Sequence, residues 1–533
     1  MKTLKKMMAL AIAMVMMLSM SISVFATSGD PTTTDPAPAA TNNKTITVAD
    51  GDTHVYEAYQ IFTADEADGV LSNVHWGANG TGTVGELVPK ATLDAIAAIT
   101  GTDTEKAAAL SAYATLSNPF VAEIKAGSPA TVAPGYYLIK DKTGVTLEDG
   151  DEYSLYIVEV AQNVTITRKA SNTEAHKTVD DVNDSDTTAT ADNGQKQTSS
   201  DYDIGDEVPY HLTATLSEKV EQYKKYHITF VDTLEAGKFD AISALDIKMD
   251  GAAIAATDDY TVEITGDDAA TEAGFTVTIE WTPKDGKTLA SLNGAEVTID
   301  FTATLGEGAA IGEEGNKNTF QLKYSNNPND TDGSDEGETP EEEVITFTYK
   351  VVVDKFDDKN QPLENAGFTL YKVSKADAEA GVTGADAKAK NEAWAAKQIK
   401  TWTTTAEAGA TAGKNNRFSF EGIDDGYYVL CETTTPAGYN TLDPQVFKVT
   451  ATHGGTDNKG ITLDTLSGDK VSGDITFTAT KADGALSTNV TNNKGGTLPE
   501  TGGIGTTIFY ILGAILVLGA GIVLVTRRRM SAN

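Results

Sequence analysis

Two segments of this 533-residue chain are apolar almost without a break, and between them the pattern changes to alternation. The first apolar run covers residues 7–25, follows Lys2, Lys5 and Lys6, and closes on Val24-Phe25-Ala26. A charged start, an apolar middle and small residues before the cut describe a secretory signal peptide over residues 1–26. The second run occupies 504–526 and is followed by Arg527-Arg528-Arg529. Its length suits a helix that crosses a bilayer, and three arginines hold its end on the cytoplasmic side.

In between, apolar residues recur at every second position, as in Tyr226-His227-Ile228-Thr229-Phe230-Val231 and Val297-Thr298-Ile299-Asp300-Phe301. That period, with β-branched residues and Gly/Asp clusters at the breaks, predicts half-buried antiparallel strands. Helical spacing is confined to the Ala/Leu-rich residues 86–125, expected to form two helices, and to an insertion at 385–400. The expected fold class is all-β, with tandem immunoglobulin-like β-sandwich domains carrying small helical insertions. Composition divides the chain further. Residues 27–43 are a Thr/Pro/Ala-rich disordered leader. Domains are expected at 44–168, 169–326 and 344–493, with an acidic linker at 327–343 and a C-terminal tail at 494–533.

Charge and chemistry narrow the function. With 41 basic against 77 acidic residues the net charge is −36, which argues against nucleic acid as a partner, since that needs cationic patches. One cysteine, Cys431, permits no internal disulfide. The six histidines (His54, His75, His176, His211, His227, His453) show no metal-ligand spacing, and Asp330, Asp332 and Asp335 do not follow an EF-hand loop. No nucleophile elbow, phosphate loop or dinucleotide fingerprint is present. No metal and no cofactor are expected.

Ahead of the second apolar run stands Leu498-Pro499-Glu500-Thr501-Gly502. Motif, apolar helix and basic tail together resemble the cell-wall sorting signal of Gram-positive surface proteins. The resemblance implies that a sortase cleaves between Thr501 and Gly502 and passes the Thr501 carbonyl to an amine, finally on peptidoglycan.

The third domain contains Lys355-Phe356-Asp357, Pro362-Leu363-Glu364-Asn365-Ala366-Gly367-Phe368-Thr369-Leu370, Tyr428-Val429-Leu430-Cys431-Glu432-Thr433 and Val490-Thr491-Asn492-Asn493. It is similar to the Cna B-type domain of Gram-positive pilins and adhesins. That similarity implies an intramolecular isopeptide bond, with Lys355 as nucleophile, Asn492 as acceptor (Asn493 the alternative) and Glu432 as the promoting acid. The chemistry is intelligible: burial favours the neutral amine and the neutral acid, and the fold supplies contact distance. The second domain, with His176-Lys177-Thr178-Val179, Phe230-Val231-Asp232-Thr233-Leu234 and Gly315-Asn316-Lys317-Asn318, resembles the D2-type isopeptide domain of backbone pilins. There the resemblance implies Lys177, Asp232 and Asn318, with Asn316 the alternative acceptor. The first domain resembles pilin N-terminal domains through Tyr59-Gln60-Ile61-Phe62 and Pro134-Gly135-Tyr136-Tyr137-Leu138. No acid suits a bond between its Lys44 and Asn163.

In backbone pilins a motif ending Tyr-Pro-Lys precedes the second domain, and its lysine accepts the next subunit. Here Thr167 and Arg168 replace the first two residues, and Lys169 keeps the place, eight residues before Lys177. The resemblance as a whole is to SpaA-type, sortase-assembled backbone (major) pilins. It implies a structural subunit rather than an enzyme. Its partners would be pilus-specific and housekeeping sortases, identical subunits joined head to tail, peptidoglycan, and tip and basal pilins. Two other readings stay open: a monomeric wall-anchored adhesin with the same domains, and an exported glycan-binding or hydrolytic protein.

Overall fold

The computed structural model describes residues 42–99, 109–142, 151–166, 172–182, 196–254, 260–266, 274–283, 289–328, 335–381, 386–388, 392–411, 413–456, 459–495 and 504–530, with single positions at 145, 147, 185 and 330. Strands dominate, as the alternation predicts. The strand Glu296–Leu305 buries every second side chain in turn, so its Val, Ile, Phe, Ala and Leu face one core and its Thr and Asp face outward.

Three β units follow one another. The first combines a small sheet around Lys44–Val48 with a larger one built on the long strand Tyr56–Ala67. The second packs two sheets face to face. One runs Glu174–Asp180, Glu207–Thr215, Glu296–Leu305; the other runs Glu342–Phe347, Asn316–Ser325, Tyr226–Leu234, Phe275–Trp281. Their inner faces share a core that includes Val208, Leu212, Ile228, Phe230, Val277, Ile299 and Phe320. The third unit repeats the plan. Arg417–Ile423, Tyr349–Asp357 and Ala485–Asn492 form one sheet, and Gly367–Val373, Gly426–Thr434, Gln445–Thr456 and Lys459–Ser472 form the other.

Three expectations need correction. Pairing is not uniformly antiparallel: Lys44–Val48 with Val164–Ile166, Ser199–Asp201 with Ile345–Phe347, and Tyr349–Asp357 with Ala485–Asn492 are parallel. In the first and third units the opening strand lies beside a closing one. The whole unit serves as the crossover, so no hairpin forces the directions to oppose. Among the described residues of 86–125 there are the helix Lys90–Ala97 and helical residues at 109–111, with 100–108 outside the described residues, and the window ends not in helix but in a strand, Val121–Ile124. That strand pairs with Tyr56–Ala67, and tertiary pairing overrides an Ala-rich local preference. The acidic stretch before 344 is not only a connector. Glu336–Glu338 and Glu342–Phe347 both pair with Asn316–Ser325.

The strand Glu342–Phe347 therefore belongs to two units at once. Val344 enters the second core, whereas Ile345 and Phe347 enter the third. Successive side chains on a strand point to opposite faces, so a single strand can serve both.

Candidate functional site

In the third unit, Lys355 and Asn492 sit near the ends of neighbouring parallel strands, in register with Val490 and Asp357 respectively. Glu432 comes from the facing sheet. The Lys355 Nζ contacts Asn492 Oδ1 and lies 3.3 Å from Glu432 Oε1. Asn492 Nδ2 donates to both Glu432 oxygens, at 2.8 and 2.9 Å. The Lys355 and Glu432 side chains are inaccessible to solvent, and Asn492 is buried. Burial pushes the Lys355 amine down to about 8, against the pull of Glu432. Glu432 is held in place by Leu442 N and the Thr435 hydroxyl, 2.7 and 3.2 Å away. Strand alternation turns Asn492 inward and leaves Asn493 exposed. It also sends Cys431 to the opposite face from Glu432, among Tyr371, Val373 and Val429.

The second unit brings its residues together differently. Lys177 reaches from one sheet across the core to Asp232 on the other, and the two are fully buried in contact. The Lys177 Nζ lies beside two stacked rings, 5.0 Å from the Tyr210 centroid and 5.4 Å from that of Phe301. Burial lowers the lysine and raises the aspartate, so both lean toward their neutral forms. Asn318 stands opposite Leu234, one diagonal step from Asp232 on the adjacent strand. It is wholly buried, neither atom of its amide has a hydrogen-bond partner within 3.5 Å, and its amide lies close enough to help hold the Asp232 carboxyl down. By contrast Asn316 is anchored to the Ala310 backbone through both amide atoms and to the Thr346 carbonyl. Gly274 lets the neighbouring strand close on this site. Its φ is +90°, and a Cβ there would lie 2.0 Å from the Asp232 carbonyl oxygen.

At the C-terminus, Ile504–Met530 is a helix, and within it Phe509–Arg528 is long and apolar enough to cross a membrane. Leu498, Pro499, Glu500, Thr501 and Gly502 lie outside the described residues, as does Lys169. Residues 349–466 match the family described as the SpaA prealbumin-like fold domain, and residues 490–531 match the LPXTG cell wall anchor motif. The chain therefore carries a SpaA-type prealbumin-like domain directly ahead of an LPXTG cell wall anchor. Among its relatives is the trypsin-resistant surface T6 protein of Streptococcus pyogenes serotype M6. The two are 25% identical over 404 residues, covering 64% of this chain and 68% of the relative. The solved T6 backbone pilin of that organism is similar with a TM-score of 0.48 and 16% identity, covering 85% of this chain and 98% of the other. The full-length major pilin SpaD of Corynebacterium diphtheriae is similar with a TM-score of 0.44 and 17% identity, covering 86% and 99%.

In the first unit Lys44 and Asn163 do not meet. Lys44 Nζ pairs with Glu66 at 2.9 Å, and Asn163 Oδ1 accepts from Thr45 N at 2.9 Å. A third buried cluster was not visible in the sequence. Asp181, Asp201, Asp203, Asp424, Asp425, Lys372 and His453 converge where the second and third units join. Lys372 Nζ bridges Asp203 and Asp424 at 2.7 and 3.3 Å. Burial raises the Asp424 carboxyl and pushes that of Asp425 up to about 8. Burial opposes a charged His453, but the carboxylates around it prevail and lift the ring to about 9. About 250 positions separate His453 from Asp201, so no local spacing could have announced the cluster.

Proposed function

We propose that this chain is the backbone subunit of a covalently polymerised pilus on the cell wall. In this reading a sortase joins Thr501 of one copy to Lys169 of the next, and two self-made isopeptide bonds reinforce the shaft. The observation that carries it is the buried Lys355–Asn492–Glu432 contact in a SpaA-family domain directly ahead of the wall anchor.

The reaction balances within the chain. Neutral Lys355 attacks the side-chain carbonyl carbon of Asn492. A C–N bond forms and the original one breaks. The amine's proton leaves with the amide nitrogen as ammonia. Glu432 grips the departing nitrogen and shuttles the proton. Lys177 and Asn318 follow the same course beside Asp232, and the Asn318 amide, buried next to that carboxyl with no partner within 3.5 Å, suits a group awaiting reaction. Proximity supplies much of the acceleration, because both reactants are held at contact distance before chemistry begins. Each chain reacts once with itself, so this is maturation rather than turnover. Polymerisation breaks the Thr501–Gly502 peptide bond and forms an amide to the Lys169 amine, with the enzyme's thiol as intermediate carrier.

Mass and gel mobility test this jointly. The purified chain should weigh about 34 Da less than its sequence, one ammonia per bond from that chemistry. Lys177→Ala and Lys355→Ala should each restore about 17 Da. Lys169→Ala should abolish the ladder of detergent-resistant multimers on cells while leaving both mass deficits intact. An unmodified mass removes the cross-links, and a ladder that survives Lys169→Ala moves the junction elsewhere.

A further inference from the structure

The acidic cluster at the junction has no part in the cross-linking chemistry, and its geometry has a purpose of its own. Asp181 follows the strand Glu174–Asp180, Asp201 ends the strand Ser199–Asp201, and His453 lies on Gln445–Thr456 of the next unit. One ligand atom from each lies within 4.8 Å of the others. His453 Nε2 stands 3.8 Å from Asp181 Oδ2 and 3.7 Å from Asp201 Oδ2. Those separations are too long for direct hydrogen bonds. They are right for a small ion between the three atoms. At the centre of such a triangle it would sit about 2.1–2.4 Å from each, close to zinc's nitrogen and oxygen distances.

The imidazole is held for this task. Its Nδ1 is 2.8 Å from Ser199 Oγ, which turns Nε2 toward the two carboxylates. Ligating histidines are oriented through their other ring nitrogen in this manner. A second, independent observation points the same way. The Tyr349 hydroxyl is completely buried with no hydrogen-bond partner within 3.5 Å, and Asp201 is the carboxylate that acts on it most strongly, ahead of Asp424 and Asp425. A buried phenol without a partner is costly. An ion-bound water would satisfy it. The charge balance leans the same way, since five carboxylates converge where Lys372 and His453 are the bases paired with them and Lys448 adds its charge near Asp425. Buried carboxylates in such excess are normally paired or bound to metal.

We propose that Asp181, Asp201 and His453 bind one divalent transition-metal ion of the zinc type, which pins the third unit to the second. The mixed nitrogen and oxygen donors favour such an ion over calcium, which takes six to eight oxygens. Three protein ligands leave a fourth position for water.

The test uses the full-length chain in detergent, stripped with a chelator and titrated with Zn²⁺ against a chromophoric competitor. One equivalent should bind per chain and raise the melting temperature. Affinity should fall on the order of tenfold or more in His453→Ala and in Asp201→Asn. It should be unchanged in His176→Gln, whose ring is exposed. Absence of a stoichiometric site overturns the proposal, as does equal affinity in His453→Ala. Calcium bound at this junction independently of His453 overturns it too. Should His453→Ala fail to fold, Co²⁺ added to the unaltered chain decides: visible ligand-field bands that Zn²⁺ displaces support the site, and their absence rejects it.

Discussion

A lysine enclosed by apolar strands is a chemical commitment. Solvation would keep Lys355 charged, and burial brings it down to about 8, within reach of the neutral form that attacks. The same shift predicts a pH dependence in a chain that cannot react. In Asn492→Ala the amine remains buried beside Glu432, but folded and unfolded states bind the proton differently. Between about pH 8 and the ordinary lysine value near 10.5 the unfolded chain holds the proton and the folded chain does not, so stability should rise with pH across that window. Denaturant unfolding of Asn492→Ala at several pH values measures it, and a flat profile would mean that the lysine is not desolvated. The residues that meet at Lys355 were legible because each lies in a run of recognisable sequence on its own strand. Strand alternation also made it legible that Cys431 and Glu432 part company. The choice between Asn316 and Asn318 was not legible, because the two share a strand face and both are buried. Only the loop around Ala310, which occupies Asn316, separates them.

Among elements, the strands and their alternation were the readable part, and the joints between units were not. Glu342–Phe347 looks in sequence like the start of a domain after an acidic linker. Pairing on both sides makes it a shared wall instead. The first joint is likewise built from residues with no motif. Tyr153 N donates to the Asn326 carbonyl at 2.7 Å, Tyr324 donates to the Asp151 carbonyl at 3.0 Å, and Glu152 accepts from Ser217 at 2.9 Å and Thr173 at 3.3 Å. Burial pushes the Glu152 carboxyl up to about 7, despite Ser217 and Lys219 nearby. Here the folded state holds the proton more tightly than the unfolded one. Stability from this group is therefore fully present below the ordinary carboxyl value near 4.5 and is lost as pH rises through about 7. Hydrogen exchange at Tyr153 should accelerate across that interval, and Glu152→Gln should remove the dependence. Unchanged exchange in the native chain would show that Glu152 is already ionised in the joint.

For the whole molecule, the proposed bonds define what can stretch. Tension entering at Lys169 and leaving at Thr501 bypasses the loops closed by 177–318 and 355–492. About 54 of roughly 330 residue steps remain on the load path, a reach of roughly 180–190 Å when drawn out. Pulling single native fibres should give extensions below that limit per subunit, whereas sudden lengthening by an entire domain would contradict it. Each closed loop of about 140 residues also removes unfolded-state entropy worth about 5 kcal/mol on the disulfide model. The two staples are not alike. Lys177 crosses from sheet to sheet, whereas Lys355 and Asn492 lie on neighbouring parallel strands of one sheet. In the latter case opposed forces arrive at opposite ends of a parallel pair, and an amide near the shared far end would carry them from strand to strand and spare the backbone hydrogen bonds between the two. There is a consequence for damage as well. A chain whose two largest loops are closed by amides contains rings, and cutting a ring once opens it without dividing it. A protease that nicks the polypeptide between Lys177 and Asn318, or between Lys355 and Asn492, would leave the subunit a single covalent piece and the fibre unbroken.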